Sequence, residues 1–473
     1  MTVKSIGTKV TDTTRRGVAQ LGEAWLVWKE LQQGKRTTLP RFANSVALIM
    51  GRVASSGLGF LTWLITARLF APGEVGIASG VVSAMMLCVQ LALLGIGAAV
   101  IKLYPEHESR PARLLDSSLN LVSAASLAAA GLFLVFASVA FHELRVAAAT
   151  PLYTLIFLAM TLFGAVNVLL DNVSIAMRRN DHVFERNVLF GIITIVLVAA
   201  LPLLLGAVDS ISIVFAWALA GLGACSLGVI QLWRSLSHYI YRPRINLGIG
   251  NRLIHVGLPN YLLTLTERAP NWVIPIIVTE LLSPVDNAHW YTVWMMAWVV
   301  FIVPISVGQN LFAEVSRRPD TIREALRHST RTSLLLGGLA AGGVALFAPL
   351  ILSLLGAGYA AAGVTPLRIL VIAVVPVMYI QNYYAICRAR SKLLEATLTG
   401  IINGTMSVGA AVVVGPIYGL TGMALSWLIT QSLVSLWAIW RLRRLTRSIV
   451  IASDQISSST NPNQAEVNLL TEM

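Results

Sequence analysis

The chain has 473 residues, 56% hydrophobic and only 12% charged, against about 25% charged in an ordinary soluble domain, and its mean hydropathy is +0.74. So apolar a soluble core could not be covered by so little polar surface. The net charge of +13 sits in short connections between long apolar blocks, which points to membrane topology and sets a nucleic-acid partner aside. Cys88, Cys225 and Cys387 fall inside apolar blocks without ligand-like spacing, which speaks against a disulfide framework or a zinc site.

Residues 1–43 are polar and basic, with no pattern of a cleavable signal peptide, so the first apolar block is expected to act as an uncleaved anchor. Within them Val18, Leu21, Trp25 and Trp28 recur at helical spacing opposite Glu23, Lys29 and Glu30, predicting an amphipathic helix over 17–32 on the inner leaflet. Apolar blocks of the length that crosses about 30 Å of hydrocarbon predict spans near 44–67, 76–101, 115–141, 151–176, 187–207 and 211–233. A basic connection at 234–252 follows, then spans near 253–279, 289–313, 332–355, 366–387, 393–414 and 419–440. The tail, 441–473, is basic and then Ser/Asn-rich, with disorder expected. The fold class is therefore an all-α integral membrane protein of about twelve spans, the segments 44–233 and 253–440 forming two six-helix lobes.

The lysines and arginines provide an independent check. Thirty of the 35 lie in residues 1–42 or in alternate connections (102–114, 177–186, 234–252, 317–331, 388–392, 441–447), while the opposite set holds only Arg68 and Arg145. Cytoplasmic loops carry the positive excess, so both termini are expected inside.

The chain has no G-x-x-x-x-G-K-[ST] stretch, the only Gly-Lys pair being Gly34-Lys35 followed by Arg36, which argues against direct ATP hydrolysis. No sizeable loop presents a nucleophile with its base, so the chain does not read as an enzyme, and no cofactor is expected. Charges within spans are the candidate functional residues. Arg52 lies about 12 Å into the first span at 1.5 Å per residue, where it either lines a pathway or snorkels to the interface. Glu267 and Arg268 lie near mid-depth of the seventh span, where a lipid-facing charge costs at least ~2.5–3.5 kcal/mol. Adjacent residues do not share a helix face, so the two do not read as a self-contained pair, and each is expected to face a cavity or a partner. Pro259, Pro270 and Pro275 in the same span favour a kinked helix of the kind that lines transport pathways. Asp171 either pairs with Arg52 or is interfacial. Asn260, Gln309 and Asn382 either line a cavity or bond between helices.

Four stretches carry a family resemblance. TARLFAPGEVGIASG (66–80) resembles a hallmark of bacterial polysaccharide-biosynthesis membrane proteins, the oligosaccharide-lipid flippases of the multidrug/oligosaccharidyl-lipid/polysaccharide exporter superfamily. GLPNYLLTLTERAPNWVIPIIV (257–278), VWMMAWVVFIVPISVGQNLFAEVSR (293–317) and LLGAGYAAAGVTPLRILVIAVVP (354–376) are similar to later segments of the same family, and the likeness runs from about residue 41 to 445. The resemblance implies two lobes around a central cationic cavity, alternating access, and a polyprenyl-pyrophosphate-linked glycan as cargo. The implied setting is the bacterial plasma membrane, with membrane lipids, glycosyltransferases or a polymerase as partners and H+ or Na+ as coupling ion. It maps a cavity arginine onto Arg52 and an acidic-Arg pair onto Glu267-Arg268. Strongly basic relatives carry several mid-span arginines, whereas here only Arg52 and Arg268 stand in spans at depth, which leaves a less charged lipid-linked sugar open as cargo. A cation-coupled drug antiporter with Glu267 as ion site, and a non-transporting member of a glycan-assembly complex, are the alternatives.

Overall fold

The computed structural model describes residues 57–459 except 109, 207, 237, 238 and 245, with side chains as far as Leu445. The amphipathic segment at 17–32, the opening of the first span with Arg52, and the tail from 460 lie outside those residues.

Among the described residues every regular element is a helix. The first half contains α1 (Gly57–Leu69), α2 (Pro72–Leu93), α3 (Ile96–Leu103), α4 (Ala112–Ala140), α5 (Pro151–Ala176), α6 (Asn180–Leu205) and α7 (Ser210–Ser235). The second contains α8 (Leu247–Leu281), α9 (Pro284–Arg317), α10 (Ile322–Ser353), α11 (Ala357–Ile372), α12 (Val374–Ala389) and α13 (Leu393–Ser459). Local sequence sets the starts. Proline opens α2, α5 and α9, where its missing N–H and fixed φ cost nothing. Thr150, Asn246 and Ser283 accept hydrogen bonds from the first-turn N–H groups of Tyr153, Ile249 and Asp286, satisfying donors that the helix itself leaves open.

Eight of these helices are long and apolar enough to cross a membrane, or nine when α11 and α12, bent by 43°, are taken as one broken span. The expected spans that this count leaves out or merges fall on particular features. The first is described only from Gly57. The seventh, α8, is long enough but too polar by composition, because it carries Glu267, Arg268 and several amides. The last two are the arms of α13, which turns at Gly419 with φ 60° and ψ −156°, a backbone conformation that a residue without Cβ reaches easily.

Several boundaries depart from the sequence reading, α10 and α11 starting at Ile322 and Ala357 where spans are expected near 332 and 366. The expected single span 76–101 breaks at Leu94 and Gly95, both with positive φ. Helix α6 begins at Asn180 rather than near 187, and α12 extends through Ala389. In the last two cases charged residues at a helix end were counted as loop, although they are compatible with helical backbone. The last helix continues to Ser459.

One apolar core is built mainly from α1–α7, with Leu114, Phe157, Leu169 and Val214 fully buried. Two further cores belong to the second half, around Trp290, Trp294 and Phe301 and around Tyr383, Tyr384 and Cys387. The break between α2 and α3 meets α8 backbone to backbone at Gly95 and Gly257. A Cβ on Gly257 would stand 2.2 Å from the Gly95 carbonyl oxygen, so only glycine permits that approach. Toward the other end of α8, the Glu280 carboxylate accepts the backbone N–H groups of His142, Glu143 and Leu144 at 2.7, 3.2 and 2.7 Å. Nearby, Asn287 donates to the Gly76 carbonyl and the Ser79 hydroxyl at 2.9 and 3.0 Å.

Candidate functional site

Helix α8 carries Asn260, Thr264, Glu267, Arg268 and Asn271 at intervals of three and four residues, a polar stripe on one face. Against it α9 presents Trp298, Phe301, Ile305, Gln309 and Phe312, also at helical spacing. Helices α12 and α13 close the space with Gln381, Tyr384 and Arg388, and with Asn403, Ser407, Trp427 and Gln431. The enclosed cavity measures about 290 Å³. One wall is aromatic, with the Phe301 and Trp427 rings 5.3 Å apart. The other is amide and charge, where Gln431 donates to Asn403 at 3.0 Å and to Ser407 at 3.3 Å.

The ion pair at this site is Glu267 with Arg388, at 2.7 Å and with side chains only 14% and 18% exposed. Arg388 is the residue that sequence reasoning missed. It was assigned to the 388–392 connection, but it occupies the last turn of α12 and faces the cavity. The signal was available: Gln381, Tyr384 and Arg388 continue one polar stripe at spacings of three and four. Arg268 is exposed and has no ion-pair partner among the described residues. Arg388 thereby joins Arg268 among the arginines that line the cavity.

The remaining candidates are distributed differently. Asn260 and Gln309 line the cavity, one of the two alternatives the sequence leaves open for them. Asn382 does not. It is 1% exposed, accepts from Ser329 at 2.7 Å and donates to Thr330 at 3.2 Å, tying α12 to α10. Its neighbour Gln381 takes the cavity position instead, since successive residues point about 100° apart around a helix.

Asp171 lies elsewhere. Its partner is Arg186 at 2.8 Å, whose side chain is 3% exposed and which also donates to Gln231 at 2.5 Å and to Ser174 at 3.1 Å. Gln231 in turn donates to Glu185 at 2.9 Å. This network borders a second, smaller cavity of about 140 Å³ in the first half, walled by Met85, Met86, Met160 and Trp217. Arg186 too had been counted as a loop charge and belongs to α6.

The resemblance implies a cavity between the two halves. The 290 Å³ polar cavity lies among four helices of the second half, and none of its described lining residues precedes Asn260. The physical reason is that the α8 stripe finds its counter-charge on α12, within the same half.

The fold matches solved membrane transporters. An inward-facing multidrug-resistance MATE family transporter of the MOP superfamily aligns with TM-score 0.65 and 15% identity, covering 83% of this chain and 96% of that one. Lipid II flippase MurJ in an inward closed conformation aligns with TM-score 0.68 and 13% identity, covering 85% and 87%. A MOP superfamily transporter from Pyrococcus furiosus, described as having a binding pocket of reverse polarity, aligns with TM-score 0.58 and 15% identity, covering 85% and 95%. No curated protein sequence matches the chain. Residues 42–309, more than half of the chain, match the polysaccharide biosynthesis protein family. With its helices apolar enough for repeated membrane crossing and its MOP-type fold, this multi-pass membrane protein belongs to the polysaccharide biosynthesis protein family.

Proposed function

We propose that the protein moves a lipid-linked oligosaccharide from the cytoplasmic to the outer leaflet of the bacterial plasma membrane, by alternating access of the lobes 44–233 and 253–440, for cell-surface polysaccharide synthesis. The observation that carries this reading is the mixed lining of the 290 Å³ cavity. Sugar rings present C–H faces that pack on aromatic side chains such as Trp298, Phe301 and Trp427, and hydroxyls that bond to amides such as Asn260, Gln309 and Gln431. Arg268, which has no ion-pair partner among the described residues, binds a linking phosphate in this reading through its planar fork of donors. A phosphate arriving at Arg388 would compete with Glu267, so cargo binding loosens the α8–α12 contact. The volume is at the small end of ligand pockets, about 300–1,000 Å³, so it takes the first sugar units and the phosphate while the polyprenyl chain stays in the bilayer. Arg52 adds a further cation in this reading. The cargo comes from glycosyltransferases and passes to a polymerase, and a H+ or Na+ gradient or the cargo gradient itself drives the cycle.

The lipid II flippase among the structural neighbours supports this reading, as does the family. The multidrug transporters among the neighbours favour a cation-coupled antiporter with Glu267 as ion site. That reading is weaker because the Glu267 carboxylate already has a guanidinium at 2.7 Å.

The test replaces the gene by Glu267→Gln or Arg268→Ala variants. Surface glycan is expected to be lost while the protein remains in the membrane fraction. Wild-type export from both variants overturns the site. A deletion strain with altered drug tolerance and a normal glycan coat overturns the cargo in favour of the antiporter. Purified protein that moves no labelled lipid-linked glycan in liposomes, yet co-purifies with glycosyltransferases, overturns transport in favour of an assembly component.

A further inference from the structure

A second charged feature lies outside the cavity, where α7 ends and α4 begins. The linker that runs from Tyr239 to Asn246 has no regular structure at 239–244 and is fastened to α4. The Tyr239 hydroxyl donates to Asp116, and the Arg242 N–H donates to the same carboxylate at 3.2 Å. Asn120 donates to the carbonyls of Arg242 and Arg244 at 3.2 and 3.3 Å, and the Asn246 N–H donates to the Ser117 hydroxyl at 3.2 Å. These bonds define a groove of about 770 Å³ lined by Arg110, Arg113, Arg242 and Arg244. All four arginines are exposed, and none of their guanidinium groups has a hydrogen-bond or ion-pair partner among the described residues.

The only acid in the lining, Asp116, is 7% exposed and already occupied by the two donors above. Burial first, and the Asp116 charge after it, hold the Tyr239 phenol above its ordinary range, so it stays protonated and keeps donating. The cluster therefore has an unbalanced positive charge on a fixed frame, unlike scattered topology charges on a mobile loop.

Its level matters as much as its charge. Helices α4 and α7 are both apolar enough to span, and the groove sits at the start of one and just past the end of the other. That is the depth at which lipid phosphates lie. Ile240, 72% exposed, lines the same groove and offers an apolar contact to the glycerol and upper acyl region beneath a phosphate.

We propose that the groove between the start of α4 and the 239–246 linker is a binding site for a phosphate-bearing lipid headgroup, held by Arg110, Arg113, Arg242 and Arg244. The chemistry is a lipid phosphate whether it belongs to a bulk anionic phospholipid or to a polyprenyl carrier. The site is independent of the cargo cavity.

The test is native mass spectrometry of the full-length protein purified in mixed phosphatidylglycerol and phosphatidylcholine. Wild type is expected to retain phosphatidylglycerol preferentially. A variant with Arg110, Arg113, Arg242 and Arg244 all changed to Gln should retain at least about tenfold less, given the share each arginine contributes at an anionic surface. The corresponding all-Lys variant, with equal charge but no bidentate fork, should fall between them. Farnesyl pyrophosphate that displaces phosphatidylglycerol from wild type marks a site open to carrier phosphates, and failure to displace marks one for bulk headgroups; both support the groove. Equal phosphatidylglycerol retention by wild type and the all-Gln variant overturns it. Should the all-Gln variant unfold, the Arg113→Gln/Arg244→Gln pair is read instead, and equal retention there overturns the proposal as well. Glycan export is not part of the readout, so failure here leaves the cargo reading standing.

Discussion

At the scale of single residues, the decisive contacts are two acid–arginine pairs inside helices. Glu267 with Arg388 and Asp171 with Arg186 are both held at 2.7–2.8 Å. Removing one partner of a buried pair leaves an uncompensated charge, which typically costs about 3–5 kcal/mol, whereas replacing both by neutral groups of similar volume is close to neutral. Arg388→Met is therefore expected to lower the unfolding midpoint strongly in a detergent melt, and Glu267→Gln in the same chain to restore most of it. A double variant as unstable as the single one would show that Arg388 acts through other contacts. Arg268, exposed and without an ion-pair partner among the described residues, should tolerate Arg268→Ala within about 0.5 kcal/mol. Stability and export are thus expected to separate at adjacent positions, with Arg268 affecting export alone. Asp171 and Glu267 were both recognisable as unusual from sequence, because a charge within an apolar run needs a partner. Their partners were not, because Arg186 and Arg388 stand at span ends, where a basic residue looks like topology.

At the scale of elements, α8 determines where the polar chemistry lies. Its residues at 260, 264, 267, 268 and 271 form the stripe, and its prolines at 259, 270 and 275 are carried within one continuous helix. The contact of α8 with the first half depends on Gly257 against Gly95, backbone to backbone. Gly257→Ala should cause a large loss of stability, since neither carbonyl can move aside. Gly342→Ala on α10, where a Cβ meets nothing within 4 Å, should leave the midpoint unchanged or raised by helix propensity, about 1 kcal/mol at most. Equal effects in thermal melts would mean that the approach of Gly95 to α8 is looser than this geometry. The stripe on α8 was legible by periodicity alone. The glycine contact was not, because nothing in an isolated helix distinguishes a glycine that admits a neighbour from one that faces lipid.

At the scale of the whole molecule, the alternation of basic connections supports an orientation with both ends inside and the 142–145 turn outside. Reporter fusions after Arg447 and at Arg145 test it. Activity of an inside-only reporter at the first position and of an outside-only reporter at the second is expected, and the reverse pattern would invert the topology. Many basic residues of those connections, Arg186, Arg252, Arg327 and Arg388 among them, stand in the end turns of helices, which leaves the contrast with Arg68 and Arg145 untouched. Each half also holds a polar cavity around its own buried pair, about 140 Å³ near Asp171 and about 290 Å³ near Glu267.

From sequence alone came the membrane class, the approximate spans, the basic connections and the polar face of α8. Each is a local consequence of putting a chain into hydrocarbon, where a charge or an unsatisfied backbone group is penalised where it stands. Only the tertiary structure decided that Glu267 pairs with a residue 121 positions away, that Gln381 rather than Asn382 enters the cavity, and that this cavity belongs to the second half. Those outcomes depend on helix rotation and on which helices pack together, and both are set by the sum of many contacts that no single segment encodes.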